Sequence, residues 1–278
     1  PAMSNGLRRL RDLFGDPLLV RTSDGMKPTE RAEMLQPMVR DVLASVEKAV
    51  EPSQEFDAAA ADRVFRISVS DYTESTLLPH LMRRLRSEAP NITLDVLTPS
   101  DISYQDVEQG TVDLVINRFD VLPQSFHQMT VWRDAFSCLL SHHNPIVNNF
   151  NLDSYLDSGH VWVNKTGMGV GVGMEPGATK TLGWVDEALF SIGKKRRIRV
   201  FTRHYQAAMR LAELRDLIVT LPTKAARLLT DNPNVVIFDP PFSIPEIELK
   251  MAWSPLVQHN PAHQWIRRLI ADVAKKLD

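Results

Sequence analysis

Hydrogen-bonding and cationic side chains cluster near the start of the sequence at the spacing of one helix face. Ser4 and Arg8 are four residues apart and Arg8 and Arg11 three apart, so a helix places them, with Asn5, on one side. Long basic side chains reach phosphates and base edges, and short polar ones let a backbone approach closely. This face therefore has the chemistry needed to contact a nucleic-acid duplex.

The helix that must carry these residues is predicted over 3–14. Its apolar residues recur at helical spacing and form one dry side: Met3, Leu7, Leu10, Leu13 and Phe14. Residues 15–17, Gly-Asp-Pro, end the helix, and 18–22 and 26–29 predict two short strands around the turn 23–25. The helix alone is better explained as an ordinary amphipathic surface helix, but a helix followed at once by a small hairpin is typical of a winged helix-turn-helix.

The run PAMSNGLRRLRDLFGDPLLVRT, followed by GMKPTERA, resembles the LysR-type transcriptional regulators. In that family a recognition helix with a serine and arginines begins just after a proline and leads into a wing of the form PL-x-x-R followed by PT. The resemblance implies that the helix enters the major groove of double-stranded DNA, flanked by the wing. The DNA-binding residues that it implies are Ser4, Asn5, Arg8, Arg9, Arg21, Thr22 and Lys27.

The family's motif stands further from the start of the chain than it does here. We therefore expect the first two helices of the DNA-binding domain to be absent from this sequence, so that residues 1–28 form a partial winged helix-turn-helix. Through Ala32 the sequence has six basic and four acidic residues, a surplus too small for tight binding by one copy. This balance favours a protein that binds DNA as a homodimer or homotetramer.

A second helix is predicted over 29–50, with Thr29 as its N-cap. Its apolar stripe is wider than an isolated surface helix needs: Met34, Leu35, Met38, Val39, Val42, Leu43, Val46 and Val50. The stripe favours pairing with a second copy of the chain, although packing on its own domain would also explain it. The resemblance implies a linker helix that dimerises. Residues 51–63 lack periodicity and predict a hinge.

From Val64 onward strands alternate with helices, which indicates an α/β fold with parallel sheets. The predicted strands are 64–70, 92–97, 112–117, 160–164, 198–202, 217–221, 235–238 and 246–253, with a continuous strand pattern over 126–140. The last two strands and a helix over 261–277 are expected to complete the first sheet. This predicts an effector domain over 64–278 with two lobes, about 64–137 with 238–278 and about 138–237. Such lobes are typical of periplasmic-type binding proteins, and the resemblance implies them as well.

Open sheets of this kind bind ligands at the carboxyl ends of their strands. The residues that follow the predicted strands give the candidate effector site: Ser70, Tyr72, Thr73, Thr98, Pro99, Ser100, Asn117, Thr166, Gly167, His204 and Tyr205. Several precede a helix, where backbone N–H groups and the helix dipole favour a small carboxylate. Taken singly, Thr73 and Thr98 are better explained as N-caps and His204 as a surface residue, whereas the convergence of the strand ends favours a binding site for the cluster.

The segment 65–85 and the spacing between HVWV and HY are most similar to the branch of the family that includes regulators of nodulation and aromatic degradation. That resemblance implies an aromatic acid or phenolic effector. His204 is a candidate hydrogen-bond donor to it, and the rings of Tyr72, Phe119 and Tyr205 are candidates for packing against it.

Other chemistry has little support in the sequence. The run 167–173 lacks the G-x-G-x-x-G spacing of a dinucleotide site, and neither a G-x-S-x-G elbow nor a phosphate-binding loop is present. His142 and His143 are adjacent at a strand end and point in opposite directions, so they do not form a metal pair. Residues 194–197, Lys-Lys-Arg-Arg, indicate a solvated helix end or a subunit contact. We therefore expect no enzymatic activity, no cofactor and no metal.

Composition limits the remaining possibilities. The 278 residues are 44% apolar, which predicts more than one folded domain, and the net charge of −2 requires any DNA contact to be local. One cysteine, Cys138, fits a bacterial cytoplasm, and no apolar run of about 18 residues predicts a membrane helix. Two alternatives to a DNA-binding regulator with a small-molecule effector remain. One is a solute-binding protein or enzyme with the same two lobes, and the other is a regulator that senses oxidation through Cys138 or methionines.

Overall fold

The computed structural model describes residues 2–50, 55–119, 122–163 and 183–277. The chain forms two structural units, Pro1–Gln54 and Glu55–Asp278. In the first, the elements are α1 (Ala2–Phe14), β1 (Leu19–Thr22), β2 (Gly25–Pro28) and α2 (Glu30–Val50). Strands β1 and β2 pair antiparallel, from Leu19 opposite Pro28 to Thr22 opposite Gly25. The predicted helix, hairpin and second helix are confirmed.

The joint between α1, the hairpin and α2 is built around Asp16. Its Oδ1 accepts the Leu18 N–H at 2.7 Å and the Thr29 hydroxyl at 2.6 Å, and Thr29 caps α2 by accepting the Ala32 N–H at 3.2 Å. The hydrogen bonds from Thr29 and Leu18 lower the pKa of Asp16. Gly15, with φ +59°, ends α1 in the left-handed conformation that glycine adopts most easily. The turn residues therefore fix how helix and hairpin meet.

The second unit contains two five-stranded sheets with helices around them. In chain order its elements are β3 (Val64–Val69), α3 (Asp71–Glu88), β4 (Thr93–Leu97), α4 (Tyr104–Glu108), β5 (Leu114–Asn117), β6 (His127–Asp134), β7 (Phe136–Ser141), α5 (Leu152–Asp157), β8 (Gly159–Val163), α6 (Trp184–Ser191), β9 (Arg197–Thr202), α7 (Tyr205–Leu211), β10 (Leu217–Pro222), α8 (Thr223–Ala226), β11 (Val235–Phe238), β12 (Ile247–Trp253) and α9 (Pro261–Ala274).

The strand order is β4-β3-β5-β12-β6 in the first sheet and β11-β7-β10-β8-β9 in the second. The prediction of parallel sheets was incomplete, because both sheets are mixed. Strand β12 lies antiparallel to β5 and β6, and β7 lies antiparallel to β10 and β11. These antiparallel pairs form where the chain enters or leaves a sheet, while the strands linked by helices run parallel.

Two details of the predicted lobes were wrong. The continuous strand pattern over 126–140 is two strands in different sheets, because the chain crosses from β6 to β7 at Ala135, whose carbonyl accepts the Thr223 N–H at 2.9 Å. Strand β11 joins the second sheet, with Val235 opposite Ser141, and only β12 returns to the first. Two crossings between two sheets nevertheless confirm the two-lobed α/β architecture.

The core of the second unit is continuous across both lobes. Helix α9 buries Ile266, Ile270 and Val273, and α3 buries Leu81 and Leu85 in the same core cluster. Of the predicted hinge over 51–63, residues 55–63 belong to this unit. The Phe56 ring packs at 5.4 Å from that of Trp265. This part of the hinge segment is therefore packed against the effector domain.

Candidate functional site

The polar face of α1 is exposed in the first unit. Ser4, Asn5, Arg8 and Arg9 are all exposed, and the Arg8 Nη2 donates to Asn5 Oδ1 at 2.9 Å. This bond holds the guanidinium and the amide beside each other on the helix surface. Two cations and two short polar groups thus lie on one helix with water around them, as contact with a duplex requires.

Arg11 is the one member of the predicted face with a different position. It is half-buried, its Nε donates to the Pro17 carbonyl at 2.7 Å, and its Nη2 donates to the Leu19 carbonyl at 3.3 Å. It therefore holds the wing against α1. The sequence pattern could not predict this role. The carbonyls that Arg11 contacts lie beyond the turn that ends α1, and only the folded structure shows where that turn places them.

The hairpin presents the three predicted wing residues, Arg21, Thr22 and Lys27, all exposed. Thr22 Oγ1 donates to the Gly25 carbonyl at 3.0 Å and so closes the turn. Lys27 Nζ lies 3.2 Å from Asp24 Oδ2 in an exposed ion pair, which water and salt weaken. The wing therefore offers a cationic edge with an internally braced turn.

The start of α3 in the first lobe carries three of the predicted effector residues. Ser70 caps the helix by accepting the Thr73 N–H at 3.4 Å, and Tyr72 and Thr73 are buried. The Tyr72 hydroxyl donates to Asp134 Oδ2 at 2.6 Å and accepts the Trp132 Nε1 N–H at 3.1 Å. Burial, and then the neighbouring Asp134 carboxylate, raise the pKa of Tyr72, so it stays a donor at neutral pH. The Tyr72 hydroxyl is thus engaged within the protein.

Asp134, the last residue of β6, joins the first lobe to the second. Its Oδ2 accepts the backbone N–H of Lys224 at the start of α8 at 3.0 Å, besides the hydroxyl of Tyr72. Burial raises the pKa of Asp134. Nearby, the ring of Tyr72 lies 5.5 Å from that of buried Tyr205, the first residue of α7. The structure therefore brings Tyr72 and Tyr205 side by side where the lobes meet.

A second bridge between the lobes lies next to His204. The Gln206 backbone N–H donates to Asp71 Oδ2 at 3.2 Å, and its Nε2 donates to Ser75 Oγ at 2.6 Å. His204 is the exposed residue that precedes α7, and its backbone N–H donates to Thr202 Oγ1 at 3.1 Å. Its side chain makes no capping hydrogen bond to that helix. The imidazole is therefore at the lobe junction and open to solvent.

The remaining predicted residues follow β4 and β5. Strands β4 and β5 both run parallel to β3, so Thr98, Ser100 and Arg118 lie at the same edge of the sheet as Ser70. Thr98 and Ser100 are exposed and Pro99 is buried. Asn117 is buried and accepts the N–H of the next residue at 2.8 Å. Outside the described residues lie the run 167–173 and two predicted effector residues, Thr166 and Gly167.

A cleft of about 610 Å³ opens between the lobes, within the size range of small-molecule sites. This interlobe cleft is lined by Arg118, Phe119, Trp184, Glu187, Ala188, Ser191, Ile192, Ser243, Pro245, Glu246, Glu248 and Lys250. The guanidinium of Arg118 lies over the Trp184 ring, 5.1 Å from its centroid. Of the residues that line this cleft, the sequence indicated two, Arg118 and Phe119, because they follow directly after β5. Residues of α6 and β12 were missed, because they are far apart in the chain.

Cys138 has the properties of a core residue. It is fully buried, its Sγ lies 3.4 Å from Thr220 Oγ1, and burial raises the pKa of its thiol to about 12. The reactive form of a thiol is the thiolate, which this environment suppresses at neutral pH. The structure therefore gives no support to redox sensing by Cys138.

Metal and membrane chemistry were also searched in residues 2–50, 55–119, 122–163 and 183–277. Within these ranges no three potential ligand side chains come together around a possible metal ion. The prediction that His142 and His143 point in opposite directions was wrong, because both lie in the turn after β7 and their exposed rings meet edge to face at 5.5 Å. Among the helices described, none combines the length and apolar character needed to cross a membrane.

Comparison with known proteins places these features in context. Residues 58–155 match the family model described as the LysR substrate binding domain. The transcriptional activator NahR of Pseudomonas putida is 30% identical over 275 residues, which cover 98% of this chain and 88% of NahR. Nodulation protein D 3 of Rhizobium leguminosarum bv. phaseoli is 27% identical over 278 residues, covering 100% and 88% of the two chains.

A solved structure agrees in fold as well as in sequence. The probable transcriptional regulator PA0477 from Pseudomonas aeruginosa superposes with a TM-score of 0.66 at 27% identity, covering 97% of this chain and 87% of that one. Similarity at this level extends over both structural units of the chain.

Proposed function

Because the chain belongs to the family of LysR-type transcriptional regulators, we propose that it binds operator DNA as a homo-oligomer and responds to a small aromatic or other carboxylic acid held between its lobes. In this proposal residues 1–28 supply the recognition helix and wing that contact DNA, 29–50 form a dimerising linker helix and 64–278 form the effector domain. Acting on DNA places it in the bacterial cytoplasm. Binding of the ligand changes the relative orientation of the protomers, and this changes the spacing of the recognition helices on DNA.

The observation that carries DNA binding is the exposed face of α1. Arg8 and Arg9 are the cations of that face, and the short polar residues Ser4 and Asn5 lie beside them, exposed to solvent. The wing adds Arg21, Thr22 and Lys27 for contact with the sugar-phosphate backbone. A solute-binding protein or an enzyme with the same lobes has no need of this face.

Replacing Arg8 with alanine is expected to weaken operator binding by about 1–3 kcal/mol, because the variant loses a charge-assisted contact to a base edge or phosphate. Gel-shift titration with operator DNA at fixed salt measures the effect. Arg83→Ala is the matched control, since Arg83 is an exposed arginine of α3. Equal affinities of the two variants would contradict the assignment of α1.

The interlobe cleft supports an effector with a ring. Phe119 and Trp184 give it apolar walls, with the Arg118 guanidinium over the Trp184 ring. Its charged lining is mixed, because Arg118 and Lys250 stand with Glu187, Glu246 and Glu248, and Lys250 Nζ lies 3.5 Å from Glu248 Oε2. The acidic group of the effector is therefore proposed from the family resemblance. The predicted effector residues Ser70, Thr98, Ser100, Asn117 and His204 are not in the lining of this cleft; they lie at strand ends and the lobe junction, and the proposal includes them there.

A thermal-shift screen of small aromatic and aliphatic acids tests the effector, because a ligand that binds only the folded state raises the melting temperature. At 100 times its Kd, an acid adds about 2.7 kcal/mol of stability. His204→Ala is expected to reduce that shift, and His142→Ala, another exposed histidine of the second lobe, is expected to leave it unchanged. A screen in which no acid raises the melting temperature would remove the effector class from the proposal.

The linker helix supports self-association. Met34, Met38, Val42, Leu43 and Val46 are each more than half exposed, although all are apolar. A single chain leaves this stripe facing water, whereas a second copy of α2 would bury it.

Val42→Glu is expected to weaken dimerisation by about 2 kcal/mol or more, roughly thirtyfold in Kd, because it places a charge in an apolar interface. Light scattering across a micromolar concentration series gives the oligomeric state. Arg40→Glu introduces the same residue at an exposed position two residues away and is expected to leave the dimer intact. A monomeric wild-type chain at micromolar concentration would refute the linker-helix proposal.

A further inference from the structure

Leu18, which lies where α1 gives way to the wing, has an unusual backbone conformation. Its φ is +61°, and it is the only residue other than glycine with a positive φ in the part of the chain that the structure describes. The Leu19 N–H donates to the Pro17 carbonyl at 2.6 Å, which closes a three-residue γ-turn around Leu18. A γ-turn of this hand is rare and strained, so the surrounding structure has to hold it in place.

The γ-turn is held first from the side of α2. Asp16 Oδ1 accepts the Leu18 N–H at 2.7 Å, and the Leu18 carbonyl accepts the Thr29 N–H at 3.0 Å. The same Asp16 oxygen accepts the Thr29 hydroxyl at 2.6 Å. Both backbone polar groups of Leu18 are therefore bonded to the residues that begin the turn and cap α2.

Arg11 holds the same γ-turn from the side of α1. Its Nε donates to the Pro17 carbonyl and its Nη2 to the Leu19 carbonyl, so the guanidinium spans the two residues that flank Leu18. The rigid fork of a guanidinium can hold two carbonyls at once in a fixed geometry, whereas an ammonium is a single flexible donor group. Arg11 lies in the last turn of α1 and therefore ties the direction of that helix to the first residue of β1.

Apolar packing adds little to this joint within the chain. Leu18 is the only buried residue among residues 4–47, and the hairpin is exposed at three of the four residues of β1 and at all four of β2. The hairpin thus has no core of its own. Its direction relative to α1 depends on Leu18 and on the hydrogen bonds of the γ-turn.

The direction of the hairpin decides where the wing cations lie. Arg21 stands three residues after Leu18, and Lys27 lies opposite Val20 on the paired strand. Because both cations belong to one hairpin, a rotation of the backbone at Leu18 moves them together. Contacts to phosphates set the register and orientation of a protein on a duplex, so they require the cations to be held at fixed positions.

We propose that Arg11 and Asp16 are positioning residues for DNA binding, a role that rests on the proposed function. By holding the γ-turn at Leu18, they keep the wing at one angle to α1. With α1 in the major groove, this angle brings Arg21 and Lys27 to the sugar-phosphate backbone. Neither positioning residue touches the duplex in this role.

The test uses the full chain and a DNA duplex that the wild-type chain selects from a random-sequence library. Arg11→Met removes both donors of the guanidinium and keeps a good helix former at that position. Arg40→Met is the matched control, because it makes the same substitution at an exposed arginine of α2. Gel-shift titration at several salt concentrations gives the affinity and its salt dependence, and hydroxyl-radical footprinting locates the contacts. Circular dichroism checks that each variant is folded.

We expect Arg11→Met to lose about tenfold in affinity and to reduce the salt slope by about one for each wing contact that is lost. Its footprint should keep the protection given by α1 and lose the flanking protection given by the wing. Asp16→Ala, which removes the acceptor of the Leu18 N–H, should alter the footprint in the same way. Arg40→Met should match wild type in affinity, salt slope and footprint.

Arg11→Lys separates positioning from direct contact with DNA. It keeps the charge and loses the two-carbonyl fork, so it should show the altered footprint of Arg11→Met. Arg11→Lys that binds like wild type would overturn the proposal, because the charge alone would then suffice.

A double-mutant cycle tests whether Arg11 acts through the wing cations. In a chain that carries Arg21→Ala and Lys27→Ala, Arg11→Met should cost little further affinity, because the contacts that it positions are already gone. A full additional loss in that background would also overturn the proposal.

Failure of the positioning role and failure of the proposed function give different results. If the wild-type chain selects no duplex, the proposed DNA binding is wrong, and the positioning role with it. If the wild-type chain binds a duplex and both Arg11→Met and Asp16→Ala keep its complete footprint, the positioning role is wrong and the regulator remains.

Discussion

Replacing Arg196 with methionine is expected to lower the free energy of unfolding by about 3–5 kcal/mol. The guanidinium is 1% exposed and the Asp186 carboxylate 12% exposed, so the pair is buried together. Methionine fills a similar volume but leaves Asp186 with neither its cation nor its two hydrogen bonds. The loss of stability arises because the Asp186 carboxylate stays buried without a partner. The free-energy cost of that unpaired charge is larger than the net stability that the intact pair provides.

The double variant Arg196→Met with Asp186→Leu distinguishes this cause from simple loss of packing. Removing both charges eliminates the stranded carboxylate, so most of the lost stability is expected to return. Urea unfolding followed by circular dichroism measures all four members of the cycle. If the double variant is less stable than Arg196→Met alone, the buried charge is not the cause of the loss.

Acidification is expected to destabilise the second lobe through His160, by roughly 4–5 kcal/mol between pH 6.5 and pH 3. His160 is fully buried, and its Nε2 donates to the Tyr155 carbonyl at 2.7 Å. Burial first, and then the nearby Arg196 cation, lower the pKa of His160 to about 3. The imidazole is therefore neutral in the folded protein over most of this range and protonates only as the pH approaches 3.

The sign follows from where the protons bind. Between pH 6.5 and pH 3 the unfolded chain protonates this histidine and the folded chain does not, so stability falls as the pH falls, by about 1.4 kcal/mol per pH unit. His263, whose pKa is lowered to about 4 by burial and then by Arg267, adds a loss of the same sign. Asp113 and Asp134 act in the opposite direction, because burial raises the pKa of both carboxyls.

The variant His160→Gln isolates the effect. Its amide N–H can still donate to the Tyr155 carbonyl, and it does not titrate, so the difference in stability between wild type and variant is expected to shrink or reverse below pH 5. Urea unfolding at pH 7, 5 and 4 provides the comparison, with the other titrating groups present in both proteins. A difference that stays constant with pH would show that His160 is not the source of the acid sensitivity.

The first unit illustrates what local sequence determines. The helix, the turn and the hairpin of residues 2–28 follow from apolar spacing, Gly15 and the turn residues, since each of these acts within a few residues of chain. The same holds for α2 and for β3 to β5. Their periodicity and caps predicted these helices and strands, and the alternation of strands and helices predicted the two-lobed α/β fold. Recognition of the family rested on this local pattern as well.

Long-range pairing decided the rest. An apolar run cannot show that Ala135 separates two strands in different sheets, because both halves are equally hydrophobic and only their partners differ. The ring of Tyr72 is predicted to pack against a ligand, and the sequence gave no sign that its hydroxyl donates to Asp134, sixty-two residues away. The residue type and strand-end position of Tyr72 correctly indicated a lobe junction. They could not show that Asp134 is its hydrogen-bond partner.

The sequence by itself therefore determined the exposed cations of α1, the apolar stripe of α2 and the alternation of strands and helices, because these depend on spacing along one element. The tertiary structure alone decided the surroundings of Arg196. The basic run 194–197 predicted a solvated surface, whereas the Arg196 side chain is 1% exposed and pairs with Asp186, ten residues away. Burial is a property of the packed lobe, which no spacing along the chain encodes.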